Sequence, residues 1–405
     1  MSIAPGSGLV GSTRARQIAP SASMALDARA KALKAEGLPI ISFGVGEPDF
    51  PTPEPIKQAA DRAMADDATH YTTVSGDPVL RTLIADRLAE TTGLPYKWQQ
   101  VIATSGAKEA LYIIVQVLCE PGDEVLIPAP YWVSYAEQVK MAGATVVPID
   151  TDPATWKLTP QDLERHLTPR SRVLMLCTPN NPTGAVYSDA ELAALAEVLG
   201  DRDIAVIVDE IYARISYVKV GRWLRAAPQM ANRSFIVDGV SKSYAMTGWR
   251  LGWVVGPPEL MELASALQSH LTSHPSSITQ RAGIFALQND PTVEHTVDAM
   301  VGTFRERRDA IVTGLREIDG IACLEPDGAF YVFPDVRGLY GRPLGEKGRV
   351  VHSANEVAAY LLDDALVVTV PGEAFGTPGF VRFSYALGMD QLNEGVQRVK
   401  DALKT

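Results

Sequence analysis

The most constraining feature of this chain is the regular alternation of strand-like and helix-like segments between residues 101 and 255. Short runs rich in β-branched residues fall at 101–104, 124–128, 145–149, 173–177 and 204–208, with further apolar runs at 235–237 and 251–255. Helical patterns separate several of them, at about 107–118, 132–141, 160–167 and 189–199. Apolar runs this short read as strands buried on both faces. Strands joined through helices pair in parallel, and a parallel sheet needs both faces covered. The expectation is an α/β fold with a mostly parallel sheet and helices on both faces. Helical patterns at 22–35, 54–65 and 79–91 precede this region. From about residue 301 the pattern changes. A charged helix holds Phe304-Arg305-Glu306-Arg307-Arg308, an apolar run covers 328–333, a helix lies near 355–363, and a strand covers 380–384. This second region reads as a smaller α+β domain, completed by the N-terminal helix. The expected divisions are a flexible tail (1–16), an N-terminal segment contributing to the small domain (17–50), a large domain (51–298) and a small C-terminal domain (299–405).

Composition narrows the function classes. A chain of 405 residues exceeds one ordinary core, which agrees with two domains. A net charge of −11, with Lys and Arg scattered, argues against a nucleic-acid partner. Cys119, Cys177 and Cys323 are odd in number and far apart. They match neither a zinc spacing nor a disulfide framework, so no metal is expected. No apolar stretch has the length of a membrane span. The first residues lack the apolar core of a secretory signal, and a reducing cytoplasm is the expected compartment.

Chemistry concentrates in five places. In Ser241-Lys242-Ser243-Tyr244-Ala245-Met246-Thr247-Gly248-Trp249-Arg250, the lysine follows a core strand. A desolvated amine loses its proton readily and can attack an aldehyde. Ser241 and Arg250 beside it suit a phosphate. The other reading is a surface-loop lysine with a structural arginine. Ser105-Gly106-Ala107 lies between a strand and a helix, where backbone N–H groups bind phosphate; many ordinary turns look the same. Asp209 ends an apolar strand, where it can face a ligand or cap a following helix. Tyr212 comes one turn later. Thr178-Pro179-Asn180-Asn181-Pro182-Thr183-Gly184 is a rigid turn that can fix the Asn181 amide, or simply a turn. Arg382, among aromatic neighbours, needs an anion: either a substrate carboxylate or a structural ion pair.

Taken together, Asn181, Asp209, Lys242, Arg250 and Arg382 with their neighbours resemble the class I pyridoxal-phosphate aminotransferases of fold type I. The likeness runs from Gly46 to Arg382 and is strongest to the bacterial aspartate aminotransferases of subgroup Iβ. Pro-Tyr-Trp-Val-Ser-Tyr (130–135), Asn-Asn-Pro-Thr-Gly (180–184) and Ala-Met-Thr-Gly-Trp-Arg (245–250) carry it. The resemblance implies pyridoxal 5'-phosphate as cofactor, with the large domain binding it. Lys242 bonds the cofactor and then carries a proton, and Asp209 pairs with the pyridine nitrogen. Tyr212 and Asn181 reach the ring oxygen, and Trp132 stacks on the ring. Gly106, Ala107, Ser241 and Arg250 hold the phosphate. Arg382 and the Gly46 backbone hold the substrate α-carboxylate, and Lys108 the distal one. Tyr71 reaches the phosphate of a second subunit, so a homodimer with shared sites is implied. The expected reaction is ping-pong transamination from aspartate to 2-oxoglutarate.

Three departures stand out. Ser243 occupies a position where alanine is common. Gly76-Asp77-Pro78 has aspartate where an apolar residue is usual. Thr272-Ser273-His274-Pro275 is also unusual. These keep a β-lyase or a specialised biosynthetic enzyme open as the alternative. A non-catalytic regulatory domain is the remaining rival, disfavoured because no long basic segment precedes the fold.

Overall fold

A computed structural model of the chain describes residues 10–18 and 22–404. Its centre is a seven-stranded sheet. The strand order is Val101–Thr104, Gly252–Val255, Ser234–Gly239, Ala205–Asp209, Ser171–Cys177, Glu124–Ala129 and Thr145–Asp150. Every neighbouring pair is parallel except the two made by Gly252–Val255. The mostly parallel sheet read from the sequence is therefore present, with one antiparallel strand inserted near its edge.

The strands are apolar throughout because both faces are buried. Along Ala205–Asp209, Val206 and Val208 pack into one core cluster while Ile207 between them packs into the other. Val173 and Leu174 divide in the same way. This period of two is the pleat expressed as two separate cores. Helix Ala107–Leu118 shows why one cover lies so close. An added Cβ at Gly252 would overlap the Ala107 nitrogen, so only glycine lets the helix begin directly on the sheet.

Several features frame the site. Of the tail expected over residues 1–16, residues 1–9 lie outside the described residues, and Thr13–Gln17 forms a short helix capped by Ser12. Ile41–Ser42 pairs in parallel with Val367–Val368. A second, antiparallel sheet holds Val370–Pro371, Val381–Ser384 and Tyr331–Val332, packed by Ala354–Ala365. Helix Pro291–Arg316 runs unbroken past residue 298. Among the described residues, no helix is long and apolar enough to cross a membrane.

Candidate active site

The carboxyl ends of the parallel strands point at one cleft of about 320 Å³, the place where a parallel sheet presents its ligands. Cα register aligns Cys177 with Asp209, and Asp209 with Val237, across three adjacent strands. Two residues past Val237 the strand ends at Gly239, and one helical turn, Val240–Ser243, carries Lys242 into the cleft. The cleft is closed from the opposite side by Gly44, Val45, Gly46, Tyr331 and Arg382.

Lys242 Nζ donates to the Gly46 carbonyl at 2.6 Å. The residue keeps some contact with solvent through the open cleft, but its amine is crowded by protein. Desolvation, followed by repulsion from Arg250, Arg382 and Lys108, lowers its pKa to about 8; Glu47 opposes the shift. A neutral amine is therefore accessible near neutral pH, as the surface-loop reading would not allow.

Asp209 is buried, and its two oxygens are individually held. Tyr135 Oη donates to one at 2.7 Å and the Ile211 N–H to the other at 3.1 Å. Burial raises its pKa to about 6, an effect reinforced by Glu210 and resisted by the two hydrogen bonds and by Lys242. The segment after it is a turn, not a helix. The helix-cap alternative therefore does not apply: a capping carboxylate needs a helix to cap.

Arg382 is 3 % exposed. Its guanidinium donates to Asn181 Oδ1 at 3.0 Å and to the Gly44 carbonyl at 2.7 Å. Its Nε is buried without a partner. The Tyr331 and Phe375 rings lie 4.6 and 5.0 Å from its charge centre. Both partners are neutral, so this is no ion pair, and the fork retains capacity for an anion in the cleft. With its oxygen engaged, the Asn181 side chain presents its amide NH₂ as a free-standing donor type.

The phosphate-type corner is built from backbone and cation together. Gly106 has φ +88° and lies so close to Arg250 that an added Cβ would collide with the guanidinium. Arg250 itself adopts φ +56° and donates to the Thr247 carbonyl at 2.7 Å and the Ser105 carbonyl at 3.4 Å. The Ser105 N–H is taken by the Glu109 carboxylate, and the Gly106 N–H by the Thr104 carbonyl. The N–H groups of Ala107 and Lys108, in the first helical turn, have no acceptor within the helix. Ala107, Ser241 and Arg250 line the cleft; Gly106 stands behind Arg250.

Of the remaining expected residues, Trp132 lines the cleft at the start of helix Val133–Met141, with Lys108 Nζ 4.8 Å from its ring centre. Desolvation and then Arg250 lower the Lys108 pKa. Tyr212 lines the cleft, its hydroxyl 2.8 Å from that of Tyr331. Gly46 is pressed so closely against the Tyr331 hydroxyl that a side chain there would meet it. Tyr71 stands outside the cleft of its own chain, 90 % exposed.

Sequence reading missed Tyr135, Tyr331 and Thr247, all of which line the cleft. Tyr135 could have been found: it lies one helical turn after Trp132, hence on the same side. Two departures prove to be structural. Asp77 caps helix Pro78–Thr92 through the Val79 N–H at 2.8 Å. Ser243 is buried within the same helical turn as Lys242 and does not line the cleft. Neither 76–78 nor 272–275 lines the cleft of this chain.

Comparison with known proteins finds likenesses over nearly the whole chain. The family model for aminotransferase class I and II matches residues 39–399. An aspartate aminotransferase of Streptomyces avermitilis is 42 % identical over 97 % of this chain and 96 % of its own. The crystal structure of the Rhizobium meliloti aspartate aminotransferase aligns with a TM-score of 0.93 at 39 % identity, covering 98 % of this chain and 99 % of that one. The Thermus thermophilus aspartate aminotransferase solved with maleate gives 0.91 at 35 %, covering 98 % and 100 %.

Proposed function

The chain belongs to the class I and II aminotransferases, and on that footing we propose that it transfers the amino group of an L-amino acid, aspartate foremost, to 2-oxoglutarate with pyridoxal 5'-phosphate held in the Lys242 cleft. The observation that carries this reading is the meeting in one cleft of a lysine with a depressed pKa, a buried carboxylate and two arginines, Arg250 and Arg382, at separate positions. Bound there, the cofactor supplies an aldehyde and an electron-withdrawing ring.

The residues present fit that group. Arg250 packed on Gly106, with Ser241 and the Ala107 N–H, forms a corner for a dianion. Asp209, secured by Tyr135 and the Ile211 N–H, supplies a carboxylate for a pyridine nitrogen. Asn181 and Tyr212 supply donors for a ring oxygen, and Trp132 a flat apolar face. Arg382 and the Gly46 backbone orient a substrate α-carboxylate. With the cofactor bound, Lys242 would serve in two roles, holding it through the neutral amine and moving the proton at the substrate Cα. The same residue roles, used in reverse with a second oxo acid, would make the reaction ping-pong. In this reading residues 51–298 bind the cofactor, while Gly46 and Arg382 come from the 17–50 and 299–405 parts. The active unit is a homodimer, with the exposed Tyr71 serving the phosphate of a second copy.

Aspartate preference rests on Lys108, a cation in the cleft above Trp132. The maleate bound by the Thermus thermophilus relative, a dicarboxylate, agrees with it. A panel of amino donors against 2-oxoglutarate tests the assignment. Lys108→Ala should lose roughly one to two decades in kcat/KM for aspartate, the loss of one charge-assisted bond, with little change for alanine or phenylalanine. Equal losses for all three would remove Lys108 from substrate selection. A wild-type protein inactive on aspartate, or one releasing ammonia, would favour the lyase or specialised-biosynthesis reading.

A further inference from the structure

The unusual segment 272–275 holds Tyr71 from outside the cleft. His274 meets the Tyr71 ring edge to face, with centroids 5.5 Å apart and planes at 88°. The Thr72 N–H donates to His274 Nε2 at 3.3 Å, and His274 Nδ1 lies 2.7 Å from the Pro275 carbonyl. Since Nε2 accepts, Nδ1 carries the proton and donates. Both ring nitrogens are thus engaged, and the imidazole plane is fixed.

The support behind His274 is also rigid. Gln280, fully buried, donates to the Pro275 carbonyl at 2.7 Å and to the Thr72 hydroxyl at 3.0 Å, and accepts from the Asp77 N–H at 2.6 Å. On the other side the Thr272 hydroxyl donates to Glu109 at 2.7 Å, the carboxylate that also takes the Ser105 N–H. Tyr71 itself is 90 % exposed. An exposed tyrosine must give up rotamer freedom to place its hydroxyl at one point, and a preset ring reduces that cost.

We propose that His274 is a positioning residue, holding the Tyr71 ring so that its hydroxyl meets the cofactor phosphate bound by a second copy of this chain. The proposal rests on the reading of Tyr71 given above. It gives the departure at 272–275 a role in cofactor retention, without contact with substrate.

The test titrates pyridoxal 5'-phosphate into apoprotein and follows the absorbance of the bound form, recording the thermal midpoint of each variant. Tyr71→Phe keeps the ring and removes the hydroxyl, so it should weaken cofactor binding. His274→Ala should raise the cofactor Kd roughly two- to tenfold, the worth of an edge-to-face ring pair. In the Tyr71→Phe background the same His274 change should have almost no effect on Kd, because no hydroxyl remains to be placed. A general loosening of the fold would instead act equally in both backgrounds. His274→Phe, which keeps a ring but offers Thr72 no acceptor, is read by the same criterion if the alanine protein does not fold. An unchanged Kd in Tyr71→Phe overturns the reading of Tyr71 and the proposal with it. A weakened Tyr71→Phe with an unaffected His274→Ala, or equal His274 losses in both backgrounds, overturns the proposal alone.

Discussion

Replacing Arg382 by lysine separates charge from geometry at the carboxylate-binding end of the cleft. The native guanidinium already spends two donors on Asn181 and Gly44, at 3.0 and 2.7 Å. A substrate carboxylate must use the terminal N–H groups that these two bonds leave over. Lysine keeps the charge but has one nitrogen, which cannot hold Asn181, Gly44 and a bidentate carboxylate in the same plane. At least one charge-assisted hydrogen bond is lost, about 1.5–3 kcal/mol, or roughly ten- to hundredfold in kcat/KM. Arg382→Ala loses both bonds to the carboxylate and should fall about two to four decades. Because every amino acid has an α-carboxylate, the loss should be the same for aspartate, alanine and phenylalanine. The assay is the first half-reaction in single turnover, followed by the cofactor spectrum at several concentrations of each donor. The effect should lie mainly in the concentration for half-maximal rate for Arg382→Lys. A lysine variant within about twofold of wild type for all donors, or a loss confined to dicarboxylates, would refute the assignment of Arg382 to the α-carboxylate.

Two further outcomes follow from the same geometry. Asp209→Ala should retain cofactor through Arg250 and Ser241 yet slow the half-reaction by about two decades or more; near-normal single-turnover rates at saturating cofactor would contradict the role of Asp209. The Lys242 amine is desolvated to a pKa of about 8, and only its neutral form is nucleophilic. Capture of pyridoxal 5'-phosphate by apoprotein should therefore rise with pH and level off beyond about 8 rather than beyond the ordinary 10.5, as read by stopped-flow absorbance across a pH series.

The large sheet was legible because strands buried on both faces must be apolar at every position. The expected run 204–208 became Ala205–Asp209, and 173–177 became Ser171–Cys177. Helix 189–199 was fixed by the Ser188 and Glu191 capping box. The direction of Gly252–Val255 was not legible, since a short continuous apolar strand carries no mark of its orientation. The turn after Asp209 was not either: helix-like composition gave way to packing against the second sheet, where the Tyr212 hydroxyl lies 2.8 Å from that of Tyr331. Within the site, Lys242, Asp209, Asn181, Arg250 and Arg382 announced themselves through charge or turn chemistry in apolar surroundings. Tyr331 did not, because an aromatic residue in an apolar strand reads as core. Only the tertiary approach of Gly46 and Tyr212 turns its hydroxyl into part of the cleft.

The most direct test is to find where the cofactor is bound. The protein loaded with pyridoxal 5'-phosphate should be yellow. Borohydride treatment, tryptic digestion and mass spectrometry should place the reduced label on the peptide containing Lys242, and Lys242→Ala should take up no label there and lose turnover by several decades. A label on another lysine, or a Lys242→Ala protein that still transaminates at an appreciable rate, would contradict the account.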